Sequence, residues 1–463
     1  MSTLEVTAPY DGHKIKELPM TQWKEADAIL GSMASLFADR SKRLPKHERI
    51  KILENLKGLL TENSDELARQ SAQEGGKPLA DSIVEINRAI NGVDIAIREL
   101  HNLRGTEIPM ELTESSVNHM AYTMMEPAGV VVALSAFNHP MNLIIHQVVP
   151  AVAVGCPVLV KPASATPLSG FSIVELLYKA GLPKQWCKAI VCSNEVSTKL
   201  ASDPRVAFIT FIGSAKVGWK LRSALAPGVR CALEHGGAAP IIVEPDSDLD
   251  AILPGIVKAG YYHAGQVCVS VQRAFVHKDI IKEVREKMAP MVSALKVGDP
   301  LDAATEVGPL IKNAEVDRVE DWVKEAASAG ADIVTGGAKI SASCFEPTLM
   351  VNPPMDVKIS REEIFGPVVA LYEYDDYLKA IEMANAVPFA FQASVFTKNL
   401  DVALDCVKRL KGTAVMVNEH TAFRVDWMPF GGAEMSGLGM GGIGYSMRDM
   451  CNEKLMVIKS QAV

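Results

Sequence analysis

Two side chains in this sequence can, by type and setting, carry acyl chemistry. Cys268 stands in Gly265-Gln266-Val267-Cys268, after a helical stretch and a glycine, where a turn can present the sulfur. A thiolate there is a nucleophile, although a single cysteine is more often buried packing. Glu234 stands in Leu233-Glu234-His235-Gly236-Gly237, just before a predicted strand. It reads either as a solvated loop acid or as a general base beside a cofactor, with the two glycines permitting close backbone approach. Two further runs suit a phosphate-bearing ligand. From Phe211 through Gly213, Ser214 and Val217 to Gly218 the chain leaves a strand and opens a helix. Helix amides and the Ser214 hydroxyl can meet a pyrophosphate there, although this is not the usual GxGxxG fingerprint. In Val160-Lys161-Pro162-Ala163-Ser164-Ala165-Thr166-Pro167, also at a strand end, Lys161 can bind hydroxyl or phosphate groups. A strand-to-helix turn capped by polar residues explains that run equally well.

The elements that must position these groups alternate. Strands are expected at 130–134, 157–160, 189–192, 206–211 and 241–243, with helices near 168–180 and 215–225. Strand, helix, strand at this rhythm indicates a parallel α/β sheet, and such sheets bind ligands at the carboxyl ends of their strands. After Asp246 the rhythm restarts. Helices are expected over 248–262, 279–297 and 314–329, and strands over 273–276, 331–335 and 368–374. A second α/β unit therefore starts near residue 237. The first hundred residues read helical: Ile50, Leu53, Leu56 and Leu60 fall at helical spacing, and a second helix follows Gly75-Gly76-Lys77-Pro78 over 79–103. Residues 106–125 alternate weakly and suggest an arm outside the main sheets. The most apolar stretch, 143–160, contains His146, Gln147 and Pro150, so it reads as a buried helix followed by a strand rather than a membrane span.

Composition excludes several classes. The chain has 463 residues, 48% hydrophobic and 22% charged, enough for large buried cores. A net charge of −8 argues against a nucleic-acid surface. The eight cysteines are scattered without a CxxC, as expected of a reduced cytoplasmic protein, and no CxxC or HExxH spacing points to a metal. The N-terminus shows no basic stretch followed by an apolar run, so no signal peptide is expected.

Each motif is weak alone, but their order is not. Asn138 in Phe137-Asn138-His139-Pro140, Lys161 in its KPxSxTP run, Gly213-Ser214, Glu234 in ExGG, Cys268 in GQxC, Glu362-Glu363-Ile364-Phe365-Gly366-Pro367 and Pro429-Phe430-Gly431-Gly432 follow one another as in the aldehyde dehydrogenase superfamily. The resemblance runs from about residue 20 to the end. It implies an α/β aldehyde dehydrogenase fold. A Rossmann-like NAD(P)-binding domain would take residues 1–105 and 126–236, a catalytic α/β domain 237–446, and a small β oligomerisation arm 106–125 with 447–463. It further implies NAD(P)-dependent oxidation of an aldehyde to the acid. Cys268 would be the nucleophile, forming a thiohemiacetal and then a thioester; Asn138 and the Cys268 N–H would hold the oxyanion, and Glu234 would activate water. Lys161 would hold the adenine ribose, Ser214 the pyrophosphate, and Glu363 and Phe365 the nicotinamide ribose and ring. Gly213, Val217 and Phe137 would be further cofactor contacts. A homodimer or homotetramer is expected, since an apolar edge such as Leu455-Met456-Val457-Ile458 is rarely left exposed.

The chain departs from the common family pattern at several points. Ser164 replaces a frequent Glu that repels a 2′-phosphate, so NADP as well as NAD is expected to be accepted. His263 replaces the usual Asn before GQxC and is expected to be structural, still able to donate a hydrogen bond. Glu434 replaces a Lys, and Met440-Gly441 replaces an Arg-Glu pair. Phe137 replaces a frequent tryptophan. With His139 and Phe423-Arg424-Val425-Asp426, it resembles the branch that includes lactaldehyde, non-phosphorylating glyceraldehyde-3-phosphate and phosphonoacetaldehyde dehydrogenases. In that branch Arg424 and His139 would bind the anionic tail of a small aldehyde. An internal ion pair of Arg424 with Asp426 or a neighbouring acid is the alternative. Val267, where some anion-using relatives carry an arginine, counts against a phosphate or phosphonate tail. A CoA-acylating member and a non-catalytic structural or binding member are the competing readings within the family. An unrelated cysteine hydrolase would need a partner histidine and would leave the other motifs unexplained.

Overall fold

The computed structural model describes residues 2–462. Its central feature is a six-stranded sheet in the order Gly437–Leu438, Arg230–Glu234, Val206–Ile212, Val130–Leu134, Val158–Lys161, Cys187–Ala189. All neighbours run parallel except the first pair. The inner strands are near-continuous Val/Ile/Leu runs because helices cover both faces. The helix Pro140–Val154 is buried along its whole length. Strand order reverses on either side of Val130–Leu134: the chain moves outward one way through 158–161 and 187–189, then returns through 206–212 and 230–234. Such a reversal opens a crevice at the carboxyl ends of the central strands.

A second sheet of seven strands has the order Asp332–Thr335, Thr348–Val351, Val368–Tyr374, Arg273–His277, Pro240–Val243, Gln392–Phe396, Ala414–Val417. It is parallel apart from its first pair and carries the largest apolar core. A third sheet pairs Cys451–Lys459 with His119–Pro127, and that with Glu107–Ile108.

Most expected elements are present, the strands at 130–134 and 368–374 with identical bounds. Differences have local causes. The strand expected at 189–192 ends at Ala189; the Val191 carbonyl instead accepts from Thr21 N at 2.8 Å, and Val191 packs on the N-terminal hairpin Thr3–Thr7/Lys14–Pro19. That hairpin precedes the helical region and its short strands were not foreseen. Glu234, read from the sequence as lying just before a strand, itself ends the strand Arg230–Glu234, and the next strand follows at Pro240. Residues 447–449 finish the helix Ile443–Asp449 before the terminal strand begins at Cys451. Among the described residues no helix is long and apolar enough to cross a membrane, no group of three or more His, Cys, Asp or Glu could hold a metal ion, and all eight cysteines are free.

Candidate active site

A cavity of about 680 Å³ lies between the two large sheets. Every residue expected to meet substrate or cofactor lines it: Cys268, Glu234 and Asn138; Lys161, Ser164, Gly213, Ser214, Val217, Phe137, Glu363 and Phe365; Arg424 and His139. They arrive from strand ends of one sheet and loops of the other, up to almost 300 positions apart in the chain.

The sulfur is presented by an unusual turn. The helix Leu249–Tyr261 is followed by His263, Ala264 and Gly265 with φ of 50°, 55° and 68°. Consecutive left-handed residues cost about 1–2 kcal/mol each where a Cβ is present, a strain kept only where the surroundings enforce it. A Cβ on Gly265 would come within 2.1 Å of the Gly366 carbonyl oxygen, so the third position must be glycine. Gln266 latches the turn: its side-chain nitrogen donates to the carbonyls of His263 and Pro309, both at 3.2 Å, and its oxygen accepts from Ile311 N at 2.9 Å. The Asn138 amide donates to the Gln266 carbonyl at 3.0 Å, which sets it beside the Cys268 loop. His263 is fully buried with neither ring nitrogen hydrogen-bonded. The expected hydrogen bond from it does not form; it packs edge-on against His139 instead.

Asn138 is braced from behind by residues the sequence did not flag. Lys77 donates to the Asn138 carbonyl at 3.3 Å and pairs with Glu85, both fully buried. Glu85 also accepts from the amides of Met141 and Asn142 at 2.8 and 2.9 Å, capping the helix Pro140–Val154. Glu74 caps the helix Pro167–Lys179 in the same way, accepting from Leu168 N and Ser169 N. The only local signal was the Gly75-Gly76-Lys77-Pro78 break.

Burial dominates the electrostatics. It pushes the Cys268 thiol well above its ordinary value, and the Glu234 charge adds to this while Arg424 opposes it. Burial raises Glu234 to about 7, with Arg424 again opposing, and raises Glu363 to about 8. It drives His139 well below its ordinary value, so this ring is neutral and offers an N–H rather than a charge.

One end of the cavity is cationic. Arg88, from the helix Leu79–Asn102, holds Asp426 through two hydrogen bonds of 3.1 and 2.8 Å. His146 donates from Nε2 to the same carboxylate at 2.8 Å. Burial would raise Asp426, but these partners hold it well below the usual range. Burial lowers His146 to about 4. It is therefore neutral, and its Nδ1 accepts from Arg424 at 3.4 Å. Arg424 stays 4.0 Å from Asp426, lies over the Phe430 ring, and keeps a buried Nε without a partner. Two guanidiniums against one carboxylate leave one net positive charge. Arg88 is a cavity residue the sequence reading missed; its partner is 338 positions away.

The other end suits a dinucleotide. Ser214 precedes the helix Ala215–Ser223 and makes no side-chain capping bond, so its hydroxyl is free for a ligand. The Gly213 amide is already committed to the Glu234 carbonyl at 3.0 Å, and a Cβ there would strike the Phe211 ring. Gly236, on the cavity wall, and Gly237 also have a role inside the protein. A Cβ on Gly236 would fall 1.8 Å from Glu363 Oε1, and Gly237 N donates to that oxygen at 3.1 Å, so the pair makes room for the Glu363 carboxyl. Ser135 Oγ is buried, unpartnered and on the cavity wall. A free hydroxyl at a helix N-terminus, a lysine and a protonated carboxyl match the phosphates and ribose hydroxyls of a nicotinamide dinucleotide. The exposed Glu434, where the family pattern has Lys, pairs with Lys411 at the surface, 3.3 Å away.

Residues 1–456 match the family model described as "Aldehyde dehydrogenase family". The chain is 37% identical over 414 residues to a 3-sulfolactaldehyde dehydrogenase of Priestia aryabhattai, covering 89% of this chain and 86% of that one. Among solved structures it resembles aldehyde dehydrogenase 21 of Physcomitrella patens in complex with the reaction product succinate (33% identity, TM-score 0.95, 99% of this chain and 95% of that chain). It also resembles a glyceraldehyde-3-phosphate dehydrogenase of Methanocaldococcus jannaschii complexed with NADP (31% identity, TM-score 0.94, 99% of each chain). Motif order, fold and cavity thus converge, and the chain belongs to the aldehyde dehydrogenase family.

Proposed function

We propose that this enzyme oxidises a short aldehyde carrying an anionic group to its carboxylic acid, with NAD or NADP as cofactor and water as acyl acceptor. The observation that carries the reading is the meeting of a thiol, a carboxylate, an amide and a net-positive guanidinium pair on one cavity. Lys161, Ser214, Glu363 and the Phe137 and Phe365 rings would hold the cofactor, which would supply the hydride acceptor. Ser164, exposed on the cavity wall, leaves space and no opposing charge for a 2′-phosphate.

The Cys268 thiol is protonated at rest, so attack needs a base, and Glu234 is the carboxylate in the same cavity. The thiolate adds to the aldehyde carbon, and the new oxyanion is met by the Asn138 amide and the Cys268 N–H. A donor of this kind is worth about 2.7–4 kcal/mol. When the carbonyl re-forms and hydride departs, the acyl group remains on sulfur as a thioester. Once Glu234 has passed the thiol proton on to solvent, it takes a proton from the water that attacks the thioester. Arg424, Arg88 and the His139 N–H would orient the anionic tail. The name of the Priestia relative and the succinate held by the moss relative are consistent with anionic tails of this size.

We propose a division into residues 1–105 and 126–236 around the six-stranded sheet, 237–446 around the seven-stranded one, and an arm of 106–125 with 447–463; the edge strand Gly437–Leu438 of the six-stranded sheet is lent by the second of these units. The arm strand Cys451–Lys459 is a sheet edge whose Leu455 and Val457 are 54% and 53% exposed, which supports a homodimer or homotetramer closed through it. Eight free thiols suit the cytoplasm.

Initial rates of NADH and NADPH formation with lactaldehyde, glycolaldehyde, succinic semialdehyde, glyceraldehyde-3-phosphate and phosphonoacetaldehyde, for wild type and Cys268→Ala, test the reading. Activity is expected to vanish in the variant. Acid formed without CoA excludes the acylating alternative. Activity that survives Cys268→Ala overturns the assignment of the nucleophile.

A further inference from the structure

His139 lines the reaction cavity and stands at the N-cap of the helix Pro140–Val154, yet its side chain makes no capping bond. Packing sets its ring instead. Two rings stand against it: Tyr262, with centroids 6.4 Å apart and planes at 62°, and His263, at 6.2 Å and 82°. Both belong to the turn that presents Cys268, where His263 has a left-handed φ of 50°. Tyr262 shares the cavity wall with His139. His263 is fully buried, and neither of its ring nitrogens has a partner. A buried imidazole without hydrogen bonds lowers stability, so its place calls for another explanation. Burial and the nearby Lys77 charge keep it neutral, so it pairs with no acid. What remains is its shape. A flat ring meets the His139 ring near the perpendicular, an arrangement that aromatic pairs favour.

We propose that His263 is a positioning residue for substrate specificity: its ring fixes the His139 ring in the orientation that aims an imidazole N–H at the anionic end of the aldehyde. The proposal rests on the reading that His139 orients that tail. The His139 side chain turns about two torsions, and no capping bond fixes either. With the rings of Tyr262 and His263 against it, its orientation is set before substrate arrives, and less freedom is lost on binding. An asparagine at position 263 has no ring to present, and it leaves the His139 ring more than one orientation. One backbone segment thus carries both Cys268 and the two rings that aim His139. The span from the reacting carbon to the tail is fixed by that segment.

The test compares kcat/KM for succinic semialdehyde with that for butanal in wild type, His263→Asn, His263→Phe, His139→Phe and the double variant His139→Phe/His263→Asn. Alkylation of Cys268 by iodoacetamide, located by mass spectrometry, reports whether the turn is intact. In His263→Asn the ratio of the two kcat/KM values is expected to fall about tenfold, the size of a partly lost hydrogen bond to a charged group. The fall should come from a higher KM for succinic semialdehyde, with Cys268 alkylated at the wild-type rate. His263→Phe keeps a ring against His139 and should restore the ratio. The double variant should lose no more than His139→Phe alone, because the two residues act as one. A ratio that falls in His139→Phe but not in His263→Asn sinks the proposal and spares the role of His139. Losses that multiply in the double variant also overturn it. So does slower alkylation with equal losses for both aldehydes, since His263 then serves the turn alone. His139→Phe needs no change at position 263: an unchanged ratio there removes His139 from the tail site, and the proposal falls with that reading.

Discussion

Arg424→Met removes one of the two guanidiniums at the cationic end and keeps bulk against Phe430. Little inside the protein is lost with it. Arg424 sits 4.0 Å from Asp426, and that carboxylate retains Arg88 and His146. Its one hydrogen bond, to His146 Nδ1, is long at 3.4 Å. The loss should fall on the substrate. A hydrogen bond to a charged group contributes about 1.5–3 kcal/mol, which at about 1.4 kcal/mol per decade is roughly 10- to 150-fold in kcat/KM. The net charge of the guanidinium–carboxylate cluster falls from one to zero, so an anionic aldehyde should carry this penalty and a neutral one of equal length should not. Arg424→Lys keeps the charge but not the planar fork and should fall between. The assay is kcat/KM for succinic semialdehyde and for butanal, in wild type and both variants. Equal losses for the two aldehydes would refute the anion site and leave Arg424 as an internal partner. Arg88→Met is the poorer probe, because removing one partner of a buried ion pair costs about 3–5 kcal/mol in stability.

Thioester hydrolysis should rise with pH about a midpoint near 7, because the carboxylate of Glu234 is the active form and burial has raised it to about 7; single-turnover acid formation measures this, and Arg424→Met should move the midpoint upward because the Arg424 charge opposes the shift. Ser164→Glu should raise KM for NADP about tenfold or more, an effect of ~1.4 kcal/mol, while sparing NAD; paired cofactor titrations decide it. Lys77→Met leaves Glu85 buried without its cation and should destabilise the protein by about 3–5 kcal/mol, read from denaturant midpoints.

The residues assigned to the reaction were legible in the sequence through the order of their short motifs, and the structure shows why each run needs its neighbours. Gln266 must latch the Cys268 turn, Gly265 must lack a Cβ, and Gly236 must vacate space for Glu363. The central strands were equally legible, since burial on both faces writes an unbroken apolar run such as Val130–Leu134. Tertiary structure alone decided what stands behind them. Arg88 meets Asp426 across 338 positions, and Lys77 and Glu85 brace Asn138 from a helical region whose pattern is that of an ordinary amphipathic segment. Gly441 must lack a Cβ because the fold brings the Phe430 carbonyl oxygen to 2.6 Å from where one would stand. A lone charge or a lone glycine has no local signature of its partner, because burial and pairing are properties of the packed chain and not of the run in which the residue is written.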